Sequence, residues 1–225
     1  MREVFHQELE DIERRLAEQS GRVERALVGA VEAFAAKERR AAREVIKADA
    51  EVNQEEVAIE RTCFDAIARQ QPMARDLRFL TGVIKINHEL ERIGDLASSI
   101  ARRAQSLTRT PTQAYSARFM ALGELARGQI SGAMDAFLQR DPVLARSVWR
   151  MDEDVNAAFH KLVDVAFDIM RSGQVDVEEA HQYVIAARHL ERVGDYAQNM
   201  AEETLFIVEG KIVRHNAEGP ITPAG

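Results

Sequence analysis

The chain has 225 residues, a formal net charge of −7 at pH 7 and an isoelectric point near 5.5. This acidity argues against a nucleic-acid binder, which usually presents a basic face. The single cysteine, Cys63, excludes an intrachain disulfide and fits a reducing compartment. We find no signal peptide and no apolar run near the ~20 residues that a spanning helix requires, so we expect a soluble cytoplasmic protein without membrane insertion.

Six long helices are predicted in chain order, because proline is scarce, Ala, Leu, Glu and Arg dominate, and no useful strand-like alternation appears. The breaks are predicted near residues 37–40, 70–74, 108–113, 140–142 and 172–174, and the best linker is residues 108–112. The fold class is therefore all-α: two tandem three-helix bundles, residues 1–109 and 113–209, built from six antiparallel helices. We expect residues 210–225 to form a mobile tail, because they show no helical periodicity.

An internal repeat supports this division into halves. The segment Leu90–Ala97, with the sequence LERIGDLA, recurs at Leu190–Ala197 as LERVGDYA. An upstream block, residues 45–53, likewise matches residues 148–156, with a register slip of three residues that we place in the turns after the second and fifth helices. Repeats of this kind indicate a duplicated structural unit, so helices 1, 2 and 3 should superpose on 4, 5 and 6.

Each copy of the repeat keeps a carboxylate pair one helical turn apart. At ~100° per residue, Glu91 and Asp95 lie within ~40° of each other and away from the main apolar stripe of their helix. The second and fifth helices instead carry an aspartate and an asparagine on an apolar face, where an uncompensated charge is costly. If that face turns toward the third or sixth helix, carboxylates converge in both halves: Glu91, Asp95, Asp49 and Asn53 in the first, and Glu191, Asp195, Asp152 and Asn156 in the second.

Carboxylates gathered in this way repel one another, and cation binding is the usual resolution. Oxygen ligands favour hard cations such as Mg, Mn, Ca or iron over zinc. Gly94 and Gly194 each cost ~1 kcal/mol relative to alanine within a helix, which indicates a close approach of backbone or ligand. Glu56 and Glu60 extend the acidic face of the first half, whereas Phe159 and Val163 occupy the matching positions of the second. We therefore predict a larger cation load in the first half.

These motifs resemble the PhoU family of bacterial phosphate-signalling regulators. The resemblance rests on the duplicated Leu-Glu-Arg-(Ile/Val)-Gly-Asp motif, the Asp-x-x-x-Asn pairs, the two three-helix units and the segment PMARDLR at residues 72–78, and it spans roughly residues 5 to 208. The family implies tandem three-helix bundles whose carboxylate motifs hold multinuclear metal clusters, iron in some members. By this resemblance the ligands are Glu91, Asp95, Glu191 and Asp195, joined by Asp49 and Asp152 and then by Asn53 and Asn156.

The resemblance also implies a function without catalysis. Members of the family negatively regulate phosphate uptake and the phosphate regulon, by coupling the ATPase subunit of a phosphate ABC transporter to a sensor histidine kinase. A homodimer is compatible with this role. The metal itself, whether Fe, Mn or Mg, is left open by the residues.

Two alternatives stay open at this point. Helical di-iron carboxylate enzymes use Glu-x-x-His pairs, and the chain contains Glu3/His6 and Glu178/His181. The repeat argues against them, because Glu178 and His181 have no equivalents in the first half. The second alternative is a metal-free helical scaffold, in which the carboxylates only form a solvated face.

Overall fold

The computed structural model describes residues 2–211, which form six helices and no strand. The predicted tail lies outside the described residues except for Gly210 and Lys211. The helices have these bounds: α1 Arg2–Ala36, α2 Arg39–Gln70, α3 Ala74–Ser106, α4 Gln113–Gln139, α5 Pro142–Arg171 and α6 Val177–Glu209. All five predicted breaks are confirmed. Among residues 2–211, no helix is long and apolar enough to span a membrane.

The helices pack as two three-helix bundles that share two interfaces. In the first bundle α1, α2 and α3 contact one another, and in the second α4, α5 and α6 do the same. The bundles meet through α3 with α6 and through α1 with α4. By position, α1 thus corresponds to α4, α2 to α5 and α3 to α6, as the repeat predicts. The second helix of each bundle, α2 or α5, lies away from the interface and packs only within its own half.

Capping residues explain the helix starts in the second half. Asp141 precedes Pro142 and accepts hydrogen bonds from the backbone N–H groups of Val143 (2.7 Å) and Leu144 (3.2 Å). Asp176 caps α6 by accepting from the N–H of Glu179 at 2.8 Å. These side chains satisfy N–H groups that have no partner within the helix.

The register slip between the repeats lies in the helix ends as much as in the turns. The first half continues α2 to Gln70 and starts α3 at Ala74, whereas the second half stops α5 at Arg171 and starts α6 only at Val177. The second copy thus loses helix on both sides of a turn that is itself longer than in the first copy.

Aromatic side chains fill the interface between the bundles. The ring of Phe34 from α1 lies 4.8 Å from that of Phe119 in α4 and 6.0 Å from that of Tyr183 in α6. Tyr115 stacks on Tyr183 at 4.5 Å and donates its hydroxyl to the Tyr183 carbonyl at 2.6 Å. These side chains are fully buried. The two halves therefore share one continuous core instead of being joined by a linker alone.

The linker between the bundles is anchored to α6. Glu179 is buried and accepts hydrogen bonds from the Thr108 hydroxyl and, at 2.9 Å, from the backbone N–H of Arg109. Arg39 also donates to the Leu107 carbonyl at 3.3 Å. The segment predicted as a linker is thus fixed at one end of the interface, which limits how the bundles move relative to each other.

Candidate metal centres

The carboxylates of α3 face α2 in the first half. Gly94 allows this approach: a Cβ at its position would lie 3.1 Å from Val52 Cγ1 and 3.8 Å from Asp49 Oδ1. The Asp49 carboxylate of α2 therefore lies beside the helical turn that carries Glu91 and Asp95. The predicted close approach at this glycine is present.

The same arrangement recurs in the second half with tighter contacts. A Cβ at Gly194 would lie 3.3 Å from Asp152 Oδ1 and only 2.5 Å from Oε1 of Gln129, a fully buried side chain of α4. Asp152 of α5 thus lies beside Glu191 and Asp195 of α6. Glu191 is itself buried, whereas the corresponding Glu91 is half-buried.

Electrostatic repulsion is present within both carboxylate groups. Burial, and secondarily the charge of Asp95, raise the pKa of both Asp49 and Glu91. In the second half, burial and the charge of Asp195 raise the pKa of Glu191, and burial together with Asp152 raises the pKa of Asp195. Such shifts indicate that added positive charge would stabilise these groups as carboxylates.

The asparagines take different positions in the two halves. Asn156 donates to Asp152 Oδ2 at 2.9 Å, but Asn53 is exposed on α2. Asn87 of α3, rather than Asn53, is buried, and it donates to the Glu56 carbonyl at 2.8 Å. The amide that is buried between α2 and α3 in the first half is therefore that of Asn87, which was not among the predicted site residues.

The carboxylates are neighbours but do not form a ready-made ligand set. Among residues 2–211, no three His, Cys, Asp or Glu side chains are close enough together to hold a metal ion in their present rotamers. The donor chemistry is nevertheless suitable, because the first group offers only oxygen ligands and the Oδ1 atom of Asp49 is buried without a hydrogen-bond partner. Sharing an ion would therefore require at least a change of side-chain rotamers.

The residues of the di-iron alternative do not point into a bundle core. Glu3, His6, Glu178 and His181 are all exposed. The di-iron sites of helical bundles are built from side chains that project inward from facing helices. These exposed positions give that alternative no geometric support.

The duplicated bundle and the repeated carboxylate turn decide the family. The PhoU domain family model matches residues 16–104 and 119–204, one match in each bundle. The chain belongs to the PhoU family. A crystal structure of PhoU from Pseudomonas aeruginosa has a TM-score of 0.85 at 33% identity, covering 92% of this chain and 100% of that one.

Two further PhoU proteins extend the comparison. The crystal structure of the phosphate transport system regulatory protein PhoU from Streptococcus pneumoniae also has a TM-score of 0.85, at 27% identity, covering 93% of this chain and 99% of that one. The phosphate-specific transport system accessory protein PhoU of Escherichia coli (strain K12) is 32% identical over 211 residues, which cover 94% of this chain and 88% of that protein. The similarity thus extends over both bundles.

Two side chains that lie near the carboxylate motifs were not predicted, because they are not part of the motifs. Arg188 bonds Glu191 at 2.5 Å, and Gln129 lies 3.5 Å from Asp152. Arg188 could have been found from the repeat, which aligns this arginine with His88 three residues before the motif's glutamate. Gln129 gave no signal, because it comes from α4 and the repeat aligns it with the apolar Ala26.

Proposed function

We propose that this chain is a metal-binding regulatory adaptor of phosphate transport. It acts in the cytoplasm, negatively regulates phosphate uptake and the phosphate regulon, and couples the ATPase subunit of a phosphate ABC transporter to a sensor histidine kinase. The observation that supports this role is the match of PhoU relatives to both bundles, since the named relatives are phosphate transport system accessory or regulatory proteins. The role requires binding surfaces and no catalysis.

The metal part of the proposal rests on the carboxylate clusters. Glu91, Asp95 and Asp49 would hold a hard cation in the first half, with Glu191, Asp195 and Asp152 as the corresponding group of the second. The first cluster carries the larger load, because Glu56 adds a fourth carboxylate that acts on Glu91. A bound cation would neutralise these charges and fix α2 against α3, which gives metal binding a way to change the surface that partners meet.

Cation-linked stability provides the biochemical test. Purified chelator-treated protein is titrated with Mn²⁺, Fe²⁺ or Mg²⁺ and its unfolding is followed by circular dichroism. A cation that binds only the folded state should stabilise it by about 2.7 kcal/mol at a hundredfold excess over Kd. Glu91→Gln combined with Asp95→Asn should abolish most of that gain, while Glu44→Gln at an exposed site of α2 should keep it. If none of the three cations raised the free energy of unfolding, the metal part of the proposal would fail, and the chain would act as an adaptor without metal.

Partner coupling requires a separate test in cells. The tagged chain is captured from phosphate-replete and phosphate-starved cells of a strain lacking its own copy, alongside a reporter of the phosphate regulon. We expect transporter and kinase subunits to co-purify, and we expect loss of the chain to switch the reporter on in replete medium. An unchanged reporter together with no captured transporter subunit would contradict the regulatory role.

A further inference from the structure

The two carboxylate clusters differ at the positions that surround them. The repeat aligns His88 with Arg188 on the third and sixth helices, and Glu56 with Phe159 on the second and fifth. The second half therefore gains a permanent positive charge and loses a carboxylate relative to the first. Arginine stays protonated at every physiological pH, whereas the ordinary pKa of histidine, about 6.5, lies within the range in which histidine changes its charge.

In the second half, Arg188 is bonded directly to the cluster. Its Nη1 donates to Glu191 Oε1 at 2.5 Å, and its guanidinium lies over the Phe159 ring, 5.7 Å from the centroid. The same charge acts on Asp195. The aromatic face and the buried carboxylate orient the guanidinium toward the cluster, although 55% of the Arg188 side chain remains exposed to solvent.

Asp152 is also engaged by donors. Asn156 donates to its Oδ2 at 2.9 Å, and the buried Gln129 approaches its Oδ1 at 3.5 Å. Both contacts come from amide N–H groups, which cannot coordinate a cation, and they use the oxygens that a cation would need. Of the second cluster, Glu191 Oε2 is the buried oxygen that has no hydrogen-bond partner among the described residues.

Among the described residues, no arginine or lysine is bonded to a carboxylate of the first cluster. The basic groups that act on it are His88, which acts on Glu91 and whose Nδ1 lies 4.0 Å from Glu56 Oε1, and Arg102, which acts on Asp49 and donates to Ser98 Oγ at 2.9 Å. Within residues 2–211, neither Glu91 nor Asp95 has an ion pair to an arginine or lysine. The first cluster thus keeps its excess negative charge.

We propose that the positive charge of Arg188 takes the place of a metal ion in the second cluster, so that only the first half binds metal. This inference rests on the proposed metal-binding function and narrows it. A unit positive charge a few ångströms from a divalent ion opposes its binding, and solvent around this exposed arginine weakens that repulsion without removing it. We expect metal affinity at least about tenfold weaker in the second cluster than in the first.

The test counts metal ions per chain, with Mn²⁺ as the probe. Free Mn²⁺ is measured by electron paramagnetic resonance during titration of the full chain, and circular dichroism checks that each variant is folded. The wild type should show a tight class of sites that Glu91→Gln removes and Glu191→Gln leaves intact. Arg188→His, which copies the first half, should add a second tight class, and a further Glu191→Gln should remove it.

Two variants serve as matched controls. His88→Arg, the reciprocal exchange, should weaken Mn²⁺ binding at the first cluster at least about tenfold. Arg192→His removes an arginine from the same helix that also acts on Glu191 and Asp195, but that donates to the Tyr196 hydroxyl instead of bonding a carboxylate. It should therefore change Mn²⁺ binding less than Arg188→His does.

The outcomes separate the inference from the proposed function. Equal loss of Mn²⁺ from Glu91→Gln and Glu191→Gln would overturn the role of Arg188 while leaving metal binding intact. An Arg188→His variant that binds no more Mn²⁺ than the folded wild type would also overturn it. If neither the wild type nor any variant binds Mn²⁺, Fe²⁺ or Mg²⁺, the inference and the metal part of the proposed function fail together.

Discussion

Gly82 offers a direct test of how the two bundles are held together. A Cβ at this position in α3 would lie 2.4 Å from Cδ1 and 2.6 Å from Cγ1 of Ile207 in α6. Carbon atoms normally pack at about 3.5–4.0 Å, so Gly82→Ala creates an overlap of roughly 1 Å. Because Ile207 is buried and β-branched, its side chain has little freedom to move away. The substitution should therefore push α3 and α6 apart.

Two opposing effects set the magnitude. Alanine is favoured over glycine in a helix interior by about 1 kcal/mol, and overpacking a well-filled core costs about 1–3 kcal/mol. The size of the overlap places the cost at the upper end, so we expect net destabilisation of about 1–2 kcal/mol. Gly128→Ala is the matched control: its Cβ would meet only the flexible end of Met151, at 3.4 Å, so it should stabilise α4 by about 0.5–1 kcal/mol.

Urea unfolding followed by far-UV circular dichroism measures both changes, with the transition slopes compared to check that the bundles unfold together. Ile207→Ala should be much less harmful in the Gly82→Ala background than alone, because it removes the atoms that overlap. If Gly82→Ala stabilised the protein as much as Gly128→Ala does, the close packing of α3 on α6 would be refuted.

Three further predictions concern single side chains. Burial and a neighbouring aspartate raise the pKa of Asp49, so its ionised carboxylate destabilises the folded state. The protonated group favours folding below the unfolded pKa of about 3.8, and this contribution is lost as pH rises through the folded pKa. In buffer with a chelator, Asp49→Asn should thus raise the urea midpoint at pH 7 but not at pH 3. The control Asp154→Asn, at an exposed site of α5, should change the midpoint at neither pH. An equal effect of Asp49→Asn at both pH values would contradict this cause. Glu179→Ala should destabilise by about 1–3 kcal/mol and speed hydrogen exchange of the Arg109 amide, and unchanged exchange would show that the linker is held by other contacts. Tyr115→Phe should lower the free energy of unfolding by about 0.5–1.5 kcal/mol in the same urea assay, because the Tyr115 hydroxyl donates to a carbonyl of α6. A stability equal to that of the wild type would show that this hydrogen bond makes no net contribution.

The helices and their pairing were predictable because local signals agree with the global fold. The turn residues mark the breaks, and the duplicated motif requires that α1, α2 and α3 correspond to α4, α5 and α6. The shared interface was not predictable. Gly82 and Phe34 contact residues more than 80 positions away, in helices of the other half, and no periodicity within one helix indicates which stripe meets the other bundle.

The candidate site was predicted at the level of helix faces. Asp49 on α2 and Asp152 on α5 lie beside the carboxylate turns, as expected if the apolar face of each helix packs against α3 or α6. The side-chain rotamers of these carboxylates and their hydrogen-bond donors could not be predicted from this pattern. Asn53 and Asn156 occupy equivalent positions in the repeat, yet the first is exposed and the second bonds Asp152, because the local packing differs between the halves.

The asymmetry between the halves has two independent sources that act in the same direction. The sequence indicates an excess of carboxylates in the first half from Glu56, and the structure adds a bonded guanidinium, Arg188, in the second. A duplicated protein that needed two equal metal sites would gain nothing from placing a fixed cation in one of them. Under our proposal the second bundle keeps its charge balance without metal, whereas the charge of the first would change with cation supply. Because both bundles share the aromatic core around Phe34 and Tyr183, a shift of the helices that cation binding caused in the first bundle would reach the second through these packed rings.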